Sequence, residues 1–114
     1  MSISQKSMPS RKIDSYIGFA VRSGDVIYGL DSFPSYTGRI ELIMYDAQTG
    51  AATLRKLKNL CKREDITAIK CKSGYISGAV HRENVKLIAV TSKSLANAIL
   101  LSDELGIITE VESE

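Results

Sequence analysis

Arg55, Lys56, Lys58, Lys62 and Arg63 crowd five cations into one short stretch, interleaved with Leu54, Leu57, Leu60 and Cys61 at the spacing of a helix that buries one stripe and solvates the other. The chemistry open to such a face is electrostatic, because Lys and Arg that neutralise phosphates release the counterions condensed on a polyanion. The same charges would also serve simply to keep a small protein soluble. Covalent chemistry has thinner support. His81 is the single histidine, and Cys61 and Cys71 stand ten positions apart with no paired motif, so no zinc set is spelled out. Gly18, Gly24, Gly29, Gly74 and Gly78 do not take the fixed offsets of a phosphate loop. Ser, His and Asp are present, as in any small protein, without a nucleophile motif around them. The chain is expected to be non-enzymatic, with no cofactor and no metal.

The cationic helix needs a scaffold, and the residues before it supply one. Ile40 to Tyr45 is a nearly continuous apolar run closed by Asp46, as expected of a strand covered on both faces, and it leads through a turn into the helix as one crossover unit. Upstream, Ser10 is a plausible N-cap for a helix whose stripe is Ile13, Tyr16, Ile17, Ala20 and Val21 and which stops before Gly24. Val26 to Tyr28 reads as a short strand ending at Gly29. In the segment from Leu30 to Gly38, Pro34 permits at most a short helix with the proline in its first turn. Downstream, Thr67 to Lys72 and Val85 to Val90 read as strands, residues 73–80 as one or two helical turns, and His81 to Asn84 as a polar loop. Ser92 caps a final helix with Leu95, Ala98, Ile99 and Leu105 inward and Gly106 as its terminator. Short strands alternating with helices predict an α/β fold, a three-layer α-β-α sandwich around a small mixed sheet of about four strands.

A chain of 114 residues with 44% hydrophobic and 25% charged residues fits one compact domain rather than a disordered chain. The expected organisation is a flexible tail over residues 1–9, one domain over 10–106 and an acidic tail over 107–114. No apolar run is long enough to span a bilayer and no signal-peptide core is visible, so a cytoplasmic protein with reduced cysteines is expected. The net charge of +2 hides a strong asymmetry. All 15 Lys and Arg residues lie at or before Lys93, while Asp103, Glu104, Glu110, Glu112 and Glu114 follow it. The body is cationic enough to attract RNA, and the acidic end can compete for the same surface.

Several strings in this order resemble the ribosomal L-seven-Ae and L-thirty-e family of small RNA-binding proteins. They are Ile17-Gly18-Phe19-Ala20 with Ser23-Gly24, Gly29 after the first strand, and Gly38-Arg39 leading into Leu42-Ile43-Met44. Thr53 to Cys61, Leu87 to Thr91 and Leu95 to Ile99 continue the likeness, which runs from about Ile13 to Leu100. It implies a non-catalytic protein that binds structured RNA of the kink-turn kind or ribosomal RNA, in company with ribosomal or other translation proteins, and no membrane.

The resemblance also implies where RNA would be held. The family places a glycine at the end of the first strand, then an Asn-Glu pair and a lysine at the start of the next helix. Gly29 matches the glycine, whereas Asp31 and Ser32 stand at the pair and Ser35 at the lysine, within an interval about two residues shorter. Gly29, Leu30, Asp31 and Ser32 therefore form the first implied RNA segment, with backbone amides available to phosphate. The second is the loop before the last strand, His81, Arg82, Glu83, Asn84 and Val85, where His81 and Arg82 can stack on a base or pair with phosphate. Arg39 is implied as a further phosphate contact. Asp31 offers no donor, unlike asparagine, and its charge opposes phosphate. These departures keep a second function class open, a protein of the same fold that has lost RNA recognition and serves as an interaction or scaffold subunit.

Overall fold

The computed structural model of the chain describes residues 11–35 and 38–110. In chain order the elements are α1 (Lys12–Arg22), β1 (Val26–Tyr28), a 3-10 helix (Leu30–Ser35), β2 (Leu42–Asp46), α2 (Ala51–Glu64) and β3 (Ala68–Cys71). Then follow α3 (Tyr75–Val80), β4 (Leu87–Val90), α4 (Lys93–Leu100) and α5 (Leu105–Ile108). The strands make one sheet in the order β1-β4-β2-β3. β2 and β3 are parallel across the α2 crossover, while β4 is antiparallel to both of its neighbours, β1 and β2.

The two central strands explain the apolar runs in the sequence. Every residue of Leu42–Asp46 and of Leu87–Val90 is buried, because helices cover both faces. Alternation sends Leu42, Met44, Ile88 and Val90 to one side, where they pack with Ile13 and Ile17 of α1, Ile76 and Val80 of α3, and Ile99 of α4. Ile43, Tyr45, Leu87 and Ala89 face the other side, against Leu57 of α2 and Phe33 of the 3-10 helix. The result is the expected three-layer α-β-α sandwich with a mixed four-stranded sheet. On α2, Leu57 is buried, Leu54, Leu60 and Cys61 flank it, and all five cations are exposed.

Four local expectations shift. The 3-10 helix starts directly after Gly29 so that Phe33 can be buried, which moves Pro34 out of the first turn to the fifth position. Helix α1 has Arg11 at its N-cap with no side-chain cap, and its first-turn donor is met across the fold, where Ile13 N–H donates to Glu104 Oε1 at 3.0 Å. Ser10 and the tail over residues 1–9 lie outside the described residues. The final helix ends at Leu100, with Leu101 N–H closing on Asn97 O, and Gly106 falls inside the separate helix α5 instead of terminating α4. Ala96, rather than Ala98, takes the buried position on α4.

Residues expected to open the acidic tail are built into the domain. Ile108 is buried, Thr109 bridges Cys71, and Glu110 N–H donates to Lys70 O at 2.9 Å. Residues 111–114 of that tail lie outside the described residues. No helix among the described residues is long and apolar enough to cross a membrane.

Candidate nucleic-acid interface

The sheet register decides which loops meet. Tyr28 pairs with Ile88, and Gly29 N–H then donates to Leu87 O at 3.1 Å. The Gly29–Ser32 segment and the His81–Val85 loop therefore open at the same end of the sheet. Gly29 has φ +79°, a left-handed angle that favours glycine, and a Cβ there would meet nothing within 4 Å. Backbone angle rather than crowding selects the residue. Its own N–H belongs to the sheet, donating to Leu87 O. Leu30 is half-buried, while Asp31 and Ser32 are exposed at the rim.

Ser77 of α3 fixes the second loop. Its hydroxyl donates to Val85 O at 3.1 Å and accepts Val85 N–H at 2.9 Å, while its carbonyl receives the N–H groups of His81 and Arg82. His81 at φ 59° and Asn84 at φ 61° take left-handed turns that reverse the chain between these anchors. His81, Arg82, Glu83 and Asn84 all project to solvent. The Arg82 guanidinium lies 4.0 Å from the centroid of the Tyr28 ring, spanning the gap between the loop and β1. One face of that guanidinium is occupied by Tyr28, which holds the group in place and leaves its edges and outer face for a phosphate or a stacked base.

A buried carboxylate supports this end of the sheet. Asp46 is 2% exposed; its Oδ1 accepts Gln48 N–H at 2.7 Å and its Oδ2 accepts Gly74 N–H at 2.8 Å. Its own N–H donates to Lys86 O at 2.8 Å. One residue thus ties the β2 turn, the entry to α3 and the residue after the loop.

Arg39 is not part of this cluster. Glu41 N–H donates to Val90 O at 2.9 Å, which puts Arg39 at the far end of β4, roughly 10 Å of strand away from Leu87. Its Nε lies 3.4 Å from Glu41 Oε2. There it lines a groove of about 680 Å³ between the 3-10 helix and α2, together with Asp31, Lys56 and Arg63. The five loop residues and Gly29 come together at one end of the sheet, then, while Leu30 and Asp31 also line the groove that reaches Arg39.

Both cysteines are free thiols. Burial, reinforced by the Asp46 carboxylate, pushes the Cys71 thiol up to about 12, and burial also raises that of Cys61. Neither supplies a thiolate at neutral pH, which accords with their reading as small apolar fillers.

Sequence reasoning missed Tyr28, Ser77 and Asp46 as parts of this candidate interface. Tyr28 reads as an ordinary strand residue and Ser77 as a small helix residue, since nothing in the string links either to the loop that begins at His81, more than fifty positions beyond Tyr28. Asp46 carries a signal, because an acid closing a fully apolar strand before a Gln-Thr-Gly turn is a candidate for accepting that turn's N–H groups.

No protein-family model matches this chain, and no curated protein matches it. Among solved structures, that of a protein with unknown function from Bacillus halodurans C superposes with a TM-score of 0.66, covering 75% of this chain and 90% of that chain at 19% sequence identity. The likeness is one of fold.

Proposed function

We propose that the chain is a non-catalytic, cytoplasmic RNA-binding module for structured, kink-turn-like RNA, working beside the ribosome or the translation machinery, in the manner of the family its strings resemble. The observation that carries this reading is the junction of the two loops through Gly29 and Leu87, with Arg82 held over Tyr28 at the seam. A bent RNA presents phosphates and splayed bases on one side, and such a target needs two recognition segments at one end of a rigid body. Arg82 and His81 supply cation and stacking surface there. Asp31 and Glu83 limit total attraction and favour positions where a base edge offers a donor.

The test is titration of the protein with a kink-turn RNA and with a straight duplex of equal length, each at two salt concentrations. The kink-turn should bind more tightly, and Arg82→Ala should weaken it and reduce the salt slope by about 1. Arg39→Ala, at the other end of the sheet, should have the smaller effect. Equal binding of both RNAs and indifference to Arg82→Ala would favour the alternative, a protein-interaction subunit. That alternative draws support from Phe19 and Leu101, which are 58% and 84% exposed.

A further inference from the structure

We propose that the groove between the 3-10 helix and α2 is a nucleotide-binding slot that receives one base and its phosphate, supplied either as a free nucleotide or as one residue of a single strand. This site goes beyond the loop interface, with which it shares Leu30 and Asp31 at one edge, and its ligand does not require Arg82 or the His81–Val85 loop. Its volume of about 680 Å³ lies within the range of small-molecule sites. Lys56, Asn59, Leu60 and Arg63 line one wall at the i, i+3, i+4, i+7 spacing that puts them on a single face of α2, over about 10 Å of helix.

The groove is built in two chemical zones. Its base is apolar, with Phe33 only 6% exposed and Leu60 and Ile66 packed on the same core layer, a surface suited to the face of a base. Asn59 is exposed beside it and carries both a donor and an acceptor, the combination that pairs with a base edge. At the rim, Arg63 Nε lies 3.3 Å from Glu64 Oε2, and Arg39 is held by Glu41. Lys56 has no ion-pair partner among the described residues and is the cation most available to a phosphate. Asp31 and Glu64 would repel the successive carboxylates of an acidic peptide, and such a peptide would leave the pairing capacity of Asn59 unused. A single phosphate near Lys56 with its base on the apolar floor meets both zones at once.

The test is an amide NMR titration of the full chain with AMP and GMP, with adenosine, with inorganic phosphate, with a single-stranded RNA hexamer and with a glutamate peptide. Saturable shifts are expected at the Asn59 side-chain amide, Gly38 and Ile66 with the monophosphates, and weaker ones with adenosine or phosphate alone. Lys56→Ala and Asn59→Ala, both at exposed positions, should each weaken binding roughly fivefold. Shifts with the hexamer but not the monophosphates would identify a strand residue as the ligand, which supports the slot. Arg82→Ala should leave monophosphate affinity unchanged while weakening kink-turn RNA, so the failure of one site is separable from the failure of the other. Absence of saturable shifts in the groove with either nucleotide source, or equal shifts with the glutamate peptide, would overturn the proposal.

Discussion

Replacing Asp46 should destabilise the whole domain. The carboxylate is buried and accepts two backbone donors, Gln48 N–H at 2.7 Å and Gly74 N–H at 2.8 Å, from segments separated by 26 positions in the chain. Alanine removes both acceptors, and because the two donors are only partly buried and water can reach them, each lost bond costs about 1–2 kcal/mol, so Asp46→Ala should lose about 2–4 kcal/mol. Asparagine can keep one bond through its carbonyl but turns an amide donor toward the other N–H, so Asp46→Asn should lose about 1–3 kcal/mol. Against a typical total of about 5–15 kcal/mol, either change is large. Urea denaturation would show the midpoint falling with the slope unchanged, in the order wild type, Asn, Ala. Because Gly74 leads into α3 and α3 carries Ser77, hydrogen exchange at Val85 should also quicken in both variants. Unfolding free energies for both variants within about 0.5 kcal/mol of wild type would refute the claim that this carboxylate anchors the loop end.

Ser77→Ala removes both bonds between that hydroxyl and Val85; it should cost about 1–2 kcal/mol and quicken exchange at Val85 and Arg82, leaving α1 protected. Glu104→Ala deprives Ile13 N–H of its acceptor at the start of α1 and should cost about 1 kcal/mol, read as faster exchange in the first turn of that helix. Alkaline stability follows from Cys71, whose thiol is raised from 9.0 to about 12 on folding. The folded state therefore retains a proton that the unfolded state gives up, stability is full below about pH 9 and falls as pH rises toward 12, and Cys71→Ala should flatten that fall in urea midpoints. Tyr75 is displaced in the same direction, first by burial and then by its hydroxyl donating to Asp14 Oδ1 at 2.5 Å, so Tyr75→Phe should flatten the fall above about pH 10.

What the string revealed and what it hid divide along a physical line. Central strands and the amphipathic α2 were readable because burial on two faces, or on one helical stripe, writes a local period that no distant partner alters. Element ends were less readable. The α4 terminus depends on Leu101 N–H turning back to Asn97 O, and Ser102 Oγ then accepts Glu104 N–H to begin the next turn, so Gly106 was not needed as a stop. The cap on α1 comes from 91 positions away and cannot be found by looking at its neighbours. For the interface, Gly29 and the polar His81–Asn84 loop were visible as residues, yet their meeting depends on β4 inserting between β1 and β2. The same insertion puts Arg39 at the other end of β4 from Gly29 and the loop, although Arg39 is nearer to Gly29 in sequence than His81 is, and the groove along the 3-10 helix links it to Leu30 and Asp31.

The central claim is that two loops at one end of the sheet grip one folded RNA together. Backbone amide shifts of the full chain on addition of a kink-turn RNA test it most directly. The account predicts that Leu30–Ser32 and His81–Val85 shift in parallel at one apparent affinity, with the Arg82 amide among the strongest responders. Saturable RNA binding that perturbs only one of the two segments, or neither, would contradict it.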